Sequence, residues 1–274
     1  MKFKDYVTMG NLLGGFAAVI ALFHDRFDLA CYLIFLAYVF DVLDGVAARI
    51  TKQYDTFGEH FDTACDFITN SICAGFIVYY AFANRAGYPW WAAAALGAFP
   101  VVFGTIRQAR GADRPLSYPC YWLGVPRPVA ALFIVAMLKS TLVTGVSPAV
   151  SQVAYGVAAV LVVVLSYLHL STLPFSNHKA RRWLGPMRFG VWFFLGGSPV
   201  AFFVSWLVLG RPELIFDYLT FSLFMYLFVS WTQIPRADLK RIRAYLDGGP
   251  VEKPLVHVDS TWTPSSLAPY FERD

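Results

Sequence analysis

Apolar stretches of about twenty residues, the length a helix needs to cross a bilayer, follow one another along most of this chain. The breaks between them predict eight spans, near 7–23, 27–49, 58–83, 88–108, 128–144, 148–172, 187–210 and 213–234. A soluble core does not need runs this long over so much of the sequence. Charge agrees: 15% of the residues are Asp, Glu, Lys or Arg, against roughly 25% in soluble domains. Mean hydropathy is +0.52. The predicted fold class is all-α, a polytopic bundle of membrane helices. Only Gly145-Val146-Ser147 separates two of the runs, and Arg211-Pro212-Glu213 another two. Connections this short make antiparallel neighbours.

Basic residues orient the bundle. With the N-terminus inside, only Arg26, Arg85, Lys139 and Arg211 of the 22 Lys and Arg fall outside. Cytoplasmic loops carry the excess of Lys and Arg, so both termini are expected in the cytoplasm, across an even number of spans of the cell's inner membrane. Met1-Lys2-Phe3-Lys4-Asp5 precedes the first run without a cleavage pattern, so that run is expected to stay. Residues 1–234 are expected to form the membrane domain. Residues 235–274 form a tail, in which "RADLKRIRAYLDGG" puts Leu239, Ile242 and Leu246 on one helical side. That segment reads either as a surface amphipathic helix or as a solvated basic tail. Cys31, Cys65, Cys73 and Cys120 form no CxxC pair and read as small buried residues.

Against this background "DVLDGVAARITKQYDTFGEHFDTACD", residues 41–66, is anomalous. Asp41, Asp44, Gly45 and Ala48 share one helical face, and so do Gly58, Asp62 and Asp66. The two faces lie at the ends of consecutive spans. Asp41 stands about 12 Å along the helix from Arg49, well inside its span. A carboxylate in a membrane helix costs roughly 2.5–3.5 kcal/mol. Acids brought together in this way call for cations, and hard oxygen ligands suit Mg²⁺ or Mn²⁺. A pair of such ions about 3.5–4 Å apart is common in phosphoryl chemistry. The glycines let a substrate approach the backbone, and Arg49 suits a phosphate. A transporter that uses the acids as a cation or proton site is the competing reading. Asp55 and Glu59 fall outside the pattern and read as solvated loop acids.

Asp41-x2-Asp44-Gly45-x2-Ala48-Arg49-x8-Gly58-x3-Asp62-x3-Asp66 resembles, at every position, the signature of the CDP-alcohol phosphotransferases. The resemblance implies an integral membrane enzyme, usually a homodimer. Such an enzyme displaces CMP from a CDP-linked lipid or CDP-alcohol with an acceptor hydroxyl. It also implies Mg²⁺ or Mn²⁺, two ions, bound by the aspartates. On that basis Asp41, Asp44 and Asp62 are metal ligands, and Asp66 is a ligand and the general base. Gly45, Ala48, Arg49 and Gly58 form the nucleotide and diphosphate cradle.

The signature leaves the acceptor open. "TMGNLLGGF" resembles the opening of the phosphatidylserine synthases, with Gly10 in place of their usual proline. Asn11 there suits the cytidine or an acidic ligand, although Gly10-x3-Gly14 also fits a helix contact. Gly124-Val125-Pro126-Arg127-Pro128-Val129-Ala130-Ala131 and "STLPFSNHKARR" resemble later segments of the same group. The partners this implies are CDP-diacylglycerol, L-serine and CMP, within membrane lipid and without nucleic acid. Arg107 and Arg110 are one turn apart, and with Arg127 and Lys179 they are candidates for the acceptor or the lipid phosphate. Inositol phosphate and glycerol phosphate are the competing acceptors.

Overall fold

The computed structural model describes residues 2–51, 56–113, 117–118, 121–176, 193–194, 197–229, 234 and 236–247. Helices α1 (Phe3–Phe23), α2 (Phe27–Thr51), α3 (Thr56–Arg85) and α4 (Trp90–Asp113) come first. Strands β1 (Ser117–Tyr118) and β2 (Tyr121–Leu123) follow. Then come α5 (Arg127–Lys139), the single turn α6 (Thr141–Thr144), α7 (Pro148–Leu168) and strand β3 (Pro174–Ser176). Helices α8 (Gly197–Val208), α9 (Leu214–Val229) and α10 (Arg236–Leu246) complete the described chain.

Among the described residues, α1, α2, α3, α4, α5–α6 and α7 are long and apolar enough to cross a membrane. The expected seventh and eighth spans are represented by the shorter apolar helices α8 and α9. Residues 187–192 of the expected seventh span lie outside the described residues. The protein is thus a multi-pass helical membrane bundle. Val153, Val157, Val160 and Val164 are exposed along one side of α7, as lipid-facing residues are. Trp90 and Trp91, also exposed, begin α4 where an interfacial aromatic belt is expected.

Lipid is as apolar as leucine, so close packing rather than water exclusion holds such helices together. Glycine makes the close approaches here. A Cβ on Gly14 would lie 3.0 Å from the Ala37 Cβ, and one on Gly10 would lie 2.7 Å from the Phe40 ring. These two glycines seat α1 on α2, as the Gly10-x3-Gly14 spacing predicts for a helix contact. Gly75 of α3 and Gly97 of α4 face each other still more closely. A Cβ on either would meet the other's carbonyl oxygen at 2.6–2.7 Å.

Helix α5 is the axis of the bundle. Every residue from Ala130 to Leu138 is buried, and the helix packs against α2, α3, α7 and α9. A helix that is apolar all round belongs in the middle, and α5 thereby carries its first residue, Arg127, into the interior. Because successive spans run antiparallel, the N-terminal ends of α1, α3 and α5 meet the C-terminal ends of α2, α4 and α7. This end is polar. A three-stranded antiparallel sheet in the order β1-β2-β3 stands over it. Helix α10 covers the sheet, and Tyr118, Tyr121, Leu123, Ile234, Ile242 and Tyr245 form a second small core there. The tail segment is therefore helical, with Asp238, Ile242 and Tyr245 buried and Leu239 left 40% exposed. The buried face is rotated from the expected Leu239–Ile242–Leu246 side, because the sheet offers it tyrosines and a hydroxyl.

Candidate active site

The site grows from three helix ends. Helix α2 brings Asp41 and Asp44, α3 brings Asp62 and Asp66, and α1 lays Thr8 and Asn11 across both. Ligand atoms of Asp41, Asp62 and Asp66 lie within 4.8 Å of one another. The four acids form two pairs across the α2–α3 contact: the Asp41 side chain meets Asp66, and that of Asp44 meets Asp62. This is the antiparallel juxtaposition expected from the spacing. Asp44, next to the close trio, accepts a 2.8 Å bond from Thr8 Oγ1.

Amides hold Asp66 in place. Asn11 Nδ2 donates to its Oδ1 at 2.9 Å, and Asn70 Nδ2 donates to the same oxygen at 3.3 Å. Asn11 thus contacts an acidic side chain, one of the roles its position suggests. Thr69 Oγ1, in turn, donates to the Asn11 carbonyl at 3.3 Å. Thr69 and Asn70 are the second and third residues of the π-helical segment Ile68–Cys73, which starts two residues after Asp66. Such segments often mark functional places in a helix. Asn70 was legible in principle: Gly58, Asp62, Asp66 and Asn70 continue one four-residue stripe. Thr8 opens the TMGNLLGGF stretch, but nothing in that motif pointed to a bond with Asp44.

Two observations fit the acids to a divalent cation. Asp62 Oδ1 and Asn11 Oδ1 are buried without a hydrogen-bond partner among the described residues. An orphaned carboxylate oxygen facing other carboxylates is destabilising unless a cation joins them. Gly45, between the acids and the end of α2, has no atom of the described residues outside its own helix backbone and chain neighbours within 4 Å of an added Cβ. There is room beside the acids, and their donors are all hard oxygens. The trio can hold a divalent metal.

Basic groups ring the acids. The charge of Arg127 acts on Asp66, Asp62 and Asp41, and its Nη1 donates to Gln108 Oε1. Lys4 also acts on Asp62. Arg107 and Arg110 take part in holding loops. Arg107 Nη1 donates to the carbonyls of Leu123 (2.9 Å) and His169 (3.0 Å), and Arg110 Nη1 to that of Leu170 (2.6 Å). Gly124 makes the first of these possible. Its φ of +75° suits glycine, and a Cβ there would lie 2.7 Å from Arg107 Nη1. His169, 4% exposed, donates from Nδ1 to the Val125 carbonyl at 2.9 Å.

The remaining predicted residues are placed as follows. Gly58 is buried in the first turn of α3. Ala48 and Arg49 lie near the end of α2, with side chains outside the described residues, and Lys179 and Asp55 lie outside them altogether. Glu59 is exposed as expected, but it belongs to the start of α3 rather than to a loop. Cys31, Cys65 and Cys73 are free and buried.

A family model described as CDP-alcohol phosphatidyltransferase matches residues 2–173, a stretch that contains all four acids and Arg127. The chain belongs to the CDP-alcohol phosphatidyltransferase family. It is 27% identical over 183 residues to a CDP-diacylglycerol–serine O-phosphatidyltransferase of Helicobacter pylori, covering 66% of this chain and 74% of that protein. A protein of the same description from a second Helicobacter pylori strain is 31% identical over 134 residues, or 48% and 55% of the two lengths. An archaetidylserine synthase of Methanothermobacter thermautotrophicus is 26% identical over 178 residues, or 62% and 68%. As a CDP-alcohol phosphatidyltransferase the protein is a membrane enzyme of phospholipid synthesis. It transfers a phosphatidyl group from a CDP-alcohol and releases CMP.

Proposed function

We propose that this enzyme transfers the phosphatidyl group of CDP-diacylglycerol to the hydroxyl of L-serine, forming phosphatidylserine and CMP. The meeting of Asp41, Asp62 and Asp66 within 4.8 Å, beside Arg127, carries the reading. The serine-specific descriptions of the relatives support the acceptor. Asp41, Asp44, Asp62 and Asp66 would hold Mg²⁺ or Mn²⁺, and Gly45, Ala48, Arg49 and Gly58 would cradle the nucleotide and diphosphate. The bound ions would supply positive charge to the diphosphate and ease the departure of CMP.

The chain's own groups do the rest. Asn11 and Asn70 fix one oxygen of Asp66 and so orient the carboxylate that would take the proton of the serine hydroxyl. The freed oxygen attacks the phosphorus next to diacylglycerol, and the bond from that phosphorus to the CMP oxygen breaks. Arg127 stands near enough for its charge to act on Asp66, Asp62 and Asp41. A serine carboxylate paired with this guanidinium has its hydroxyl near the base, and a bidentate fork suits a carboxylate. Catalysis is then positioning plus charge stabilisation. The excess of Lys and Arg supports a cytoplasmic site in the inner membrane, and membership of the family supports a homodimer.

The test is CMP release from CDP-diacylglycerol by the purified enzyme with L-serine, glycerol 3-phosphate or an inositol phosphate, each with Mg²⁺ or Mn²⁺. Release is expected with serine, is lost on chelation and returns with either metal. Release with a phosphorylated polyol and none with serine overturns the acceptor. Ion flux in liposomes with no CMP release under any condition overturns the chemistry.

A further inference from the structure

Helix α10 lies beyond the family match, which ends at residue 173, yet it is tied into the polar end of the bundle by a buried charge. Asp238 is 0% exposed and accepts a 2.9 Å bond from Tyr121 Oη, itself fully buried in β2. Arg241 stands 3.9 Å from the same carboxylate. Around this bond the Tyr118 and Tyr245 rings pack at 5.6 Å, with Ile242 buried beside them. Burying a carboxylate is costly, and apolar residues would have docked the helix at least as well. What the charge adds is register: it gives the tyrosine hydroxyl a defined partner.

The strand so held leads straight into the site. Arg127 is the fourth residue after β2. The end of β2 and that interval are clamped by Arg107 on the Leu123 carbonyl and His169 on the Val125 carbonyl. Gly124 N donates to the Leu173 carbonyl at 2.8 Å, and Val125 N donates to that of Leu168 at 3.2 Å. Asp238 grips the other end of the same short segment.

We infer that α10 is a positioning element of the reaction: the Asp238–Tyr121 bond sets β2, and β2 sets where the Arg127 guanidinium stands relative to the acids. The inference rests on the assignment of Arg127 to the acceptor. It accounts for a helix that lies outside the matched residues 2–173.

The experiment is a double-mutant cycle in the full-length enzyme, reading KM for serine, KM for CDP-diacylglycerol, kcat and thermal stability in detergent. Tyr121→Phe removes one oxygen and keeps the ring. It is expected to raise the serine KM about fivefold, the effect of one buried hydrogen bond. The CDP-diacylglycerol KM is expected to stay within twofold. Asp238→Ala should do the same; if it does not accumulate folded, Tyr121→Phe carries the test. In an Arg127→Ala background Tyr121→Phe is expected to change the serine KM by less than twofold, because the group it positions is gone. An equal rise in both backgrounds, or no rise in either, overturns the positioning role and leaves Arg127 untouched. An unchanged serine KM in Arg127→Ala alone overturns the assignment of Arg127 and the inference with it.

Discussion

Asp66 shares its place with three other acids, and what differs is how it is held. Two amides converge on its Oδ1, whereas Asp44 is held by a hydroxyl and Asp62 keeps one oxygen unpaired. At roughly 2.5–3.5 kcal/mol for each intramembrane acid, four cost on the order of 10 kcal/mol, comparable with the whole stability of an ordinary domain. Positive charge must offset most of that, which is why the orphaned oxygen matters. The amides serve aim rather than charge. Asn70→Ala is expected to lower kcat about tenfold, the value of one hydrogen bond to a charged group, with the CDP-diacylglycerol KM unchanged. Steady-state rates at saturating metal check this. A change confined to the lipid KM would move Asn70 from the base to the donor site. The spacing of Asp41, Asp44, Asp62 and Asp66 was legible because helical periodicity alone determines which side chains share a face. The contact of Thr8 with Asp44 spans 36 residues and depends on how α1 lies across α2, which no local pattern encodes.

At the scale of elements, small residues decide which helices approach and therefore where the acids meet. The α3–α4 crossing has glycine on both sides, at Gly75 and Gly97. Below it Ser71 of the π-helical segment packs against Gly104. Gly97→Leu would drive a side chain into the Gly75 carbonyl, where backbone cannot yield. Overpacking of this kind typically costs about 1–3 kcal/mol. The melting temperature in detergent should fall by several degrees, with activity lost in step because α3 carries Asp62 and Asp66. Gly97→Ala is expected to lose less. Full stability with full activity in Gly97→Leu would mean that α3 and α4 do not pack as described. The runs that became α1 to α7 were readable from length and apolarity. The sheet was not: β1 and β2 are two and three residues long, and β3, which pairs with β2, comes after two intervening spans. Pairing over such a distance is a tertiary matter.

For the whole molecule, alternation of the spans brings the N-terminal ends of α1, α3 and α5 to the side that carries α10. We propose, from the excess of Lys and Arg in its loops, that this side is cytoplasmic. A reporter fused after α10 that is active only in the cytoplasm is expected to be active, and a periplasm-dependent reporter at the same point inactive. The opposite pattern would invert the orientation and put the site on the other face. Sequence by itself determined that the chain crosses a membrane several times as helices and that its acids fall on two facing stripes. It also carried the family signature, because each of these follows from periodicity and spacing within neighbouring turns. Only the tertiary structure decided that three of the four acids form the tight cluster and that Asn70 and Thr8 support them. Only it put Arg107 on loop carbonyls and Arg127 among the acids, and docked α10 over the strand that leads there. Those outcomes turn on contacts between residues tens to more than a hundred positions apart, where close packing chooses among neighbours that local pattern leaves equivalent.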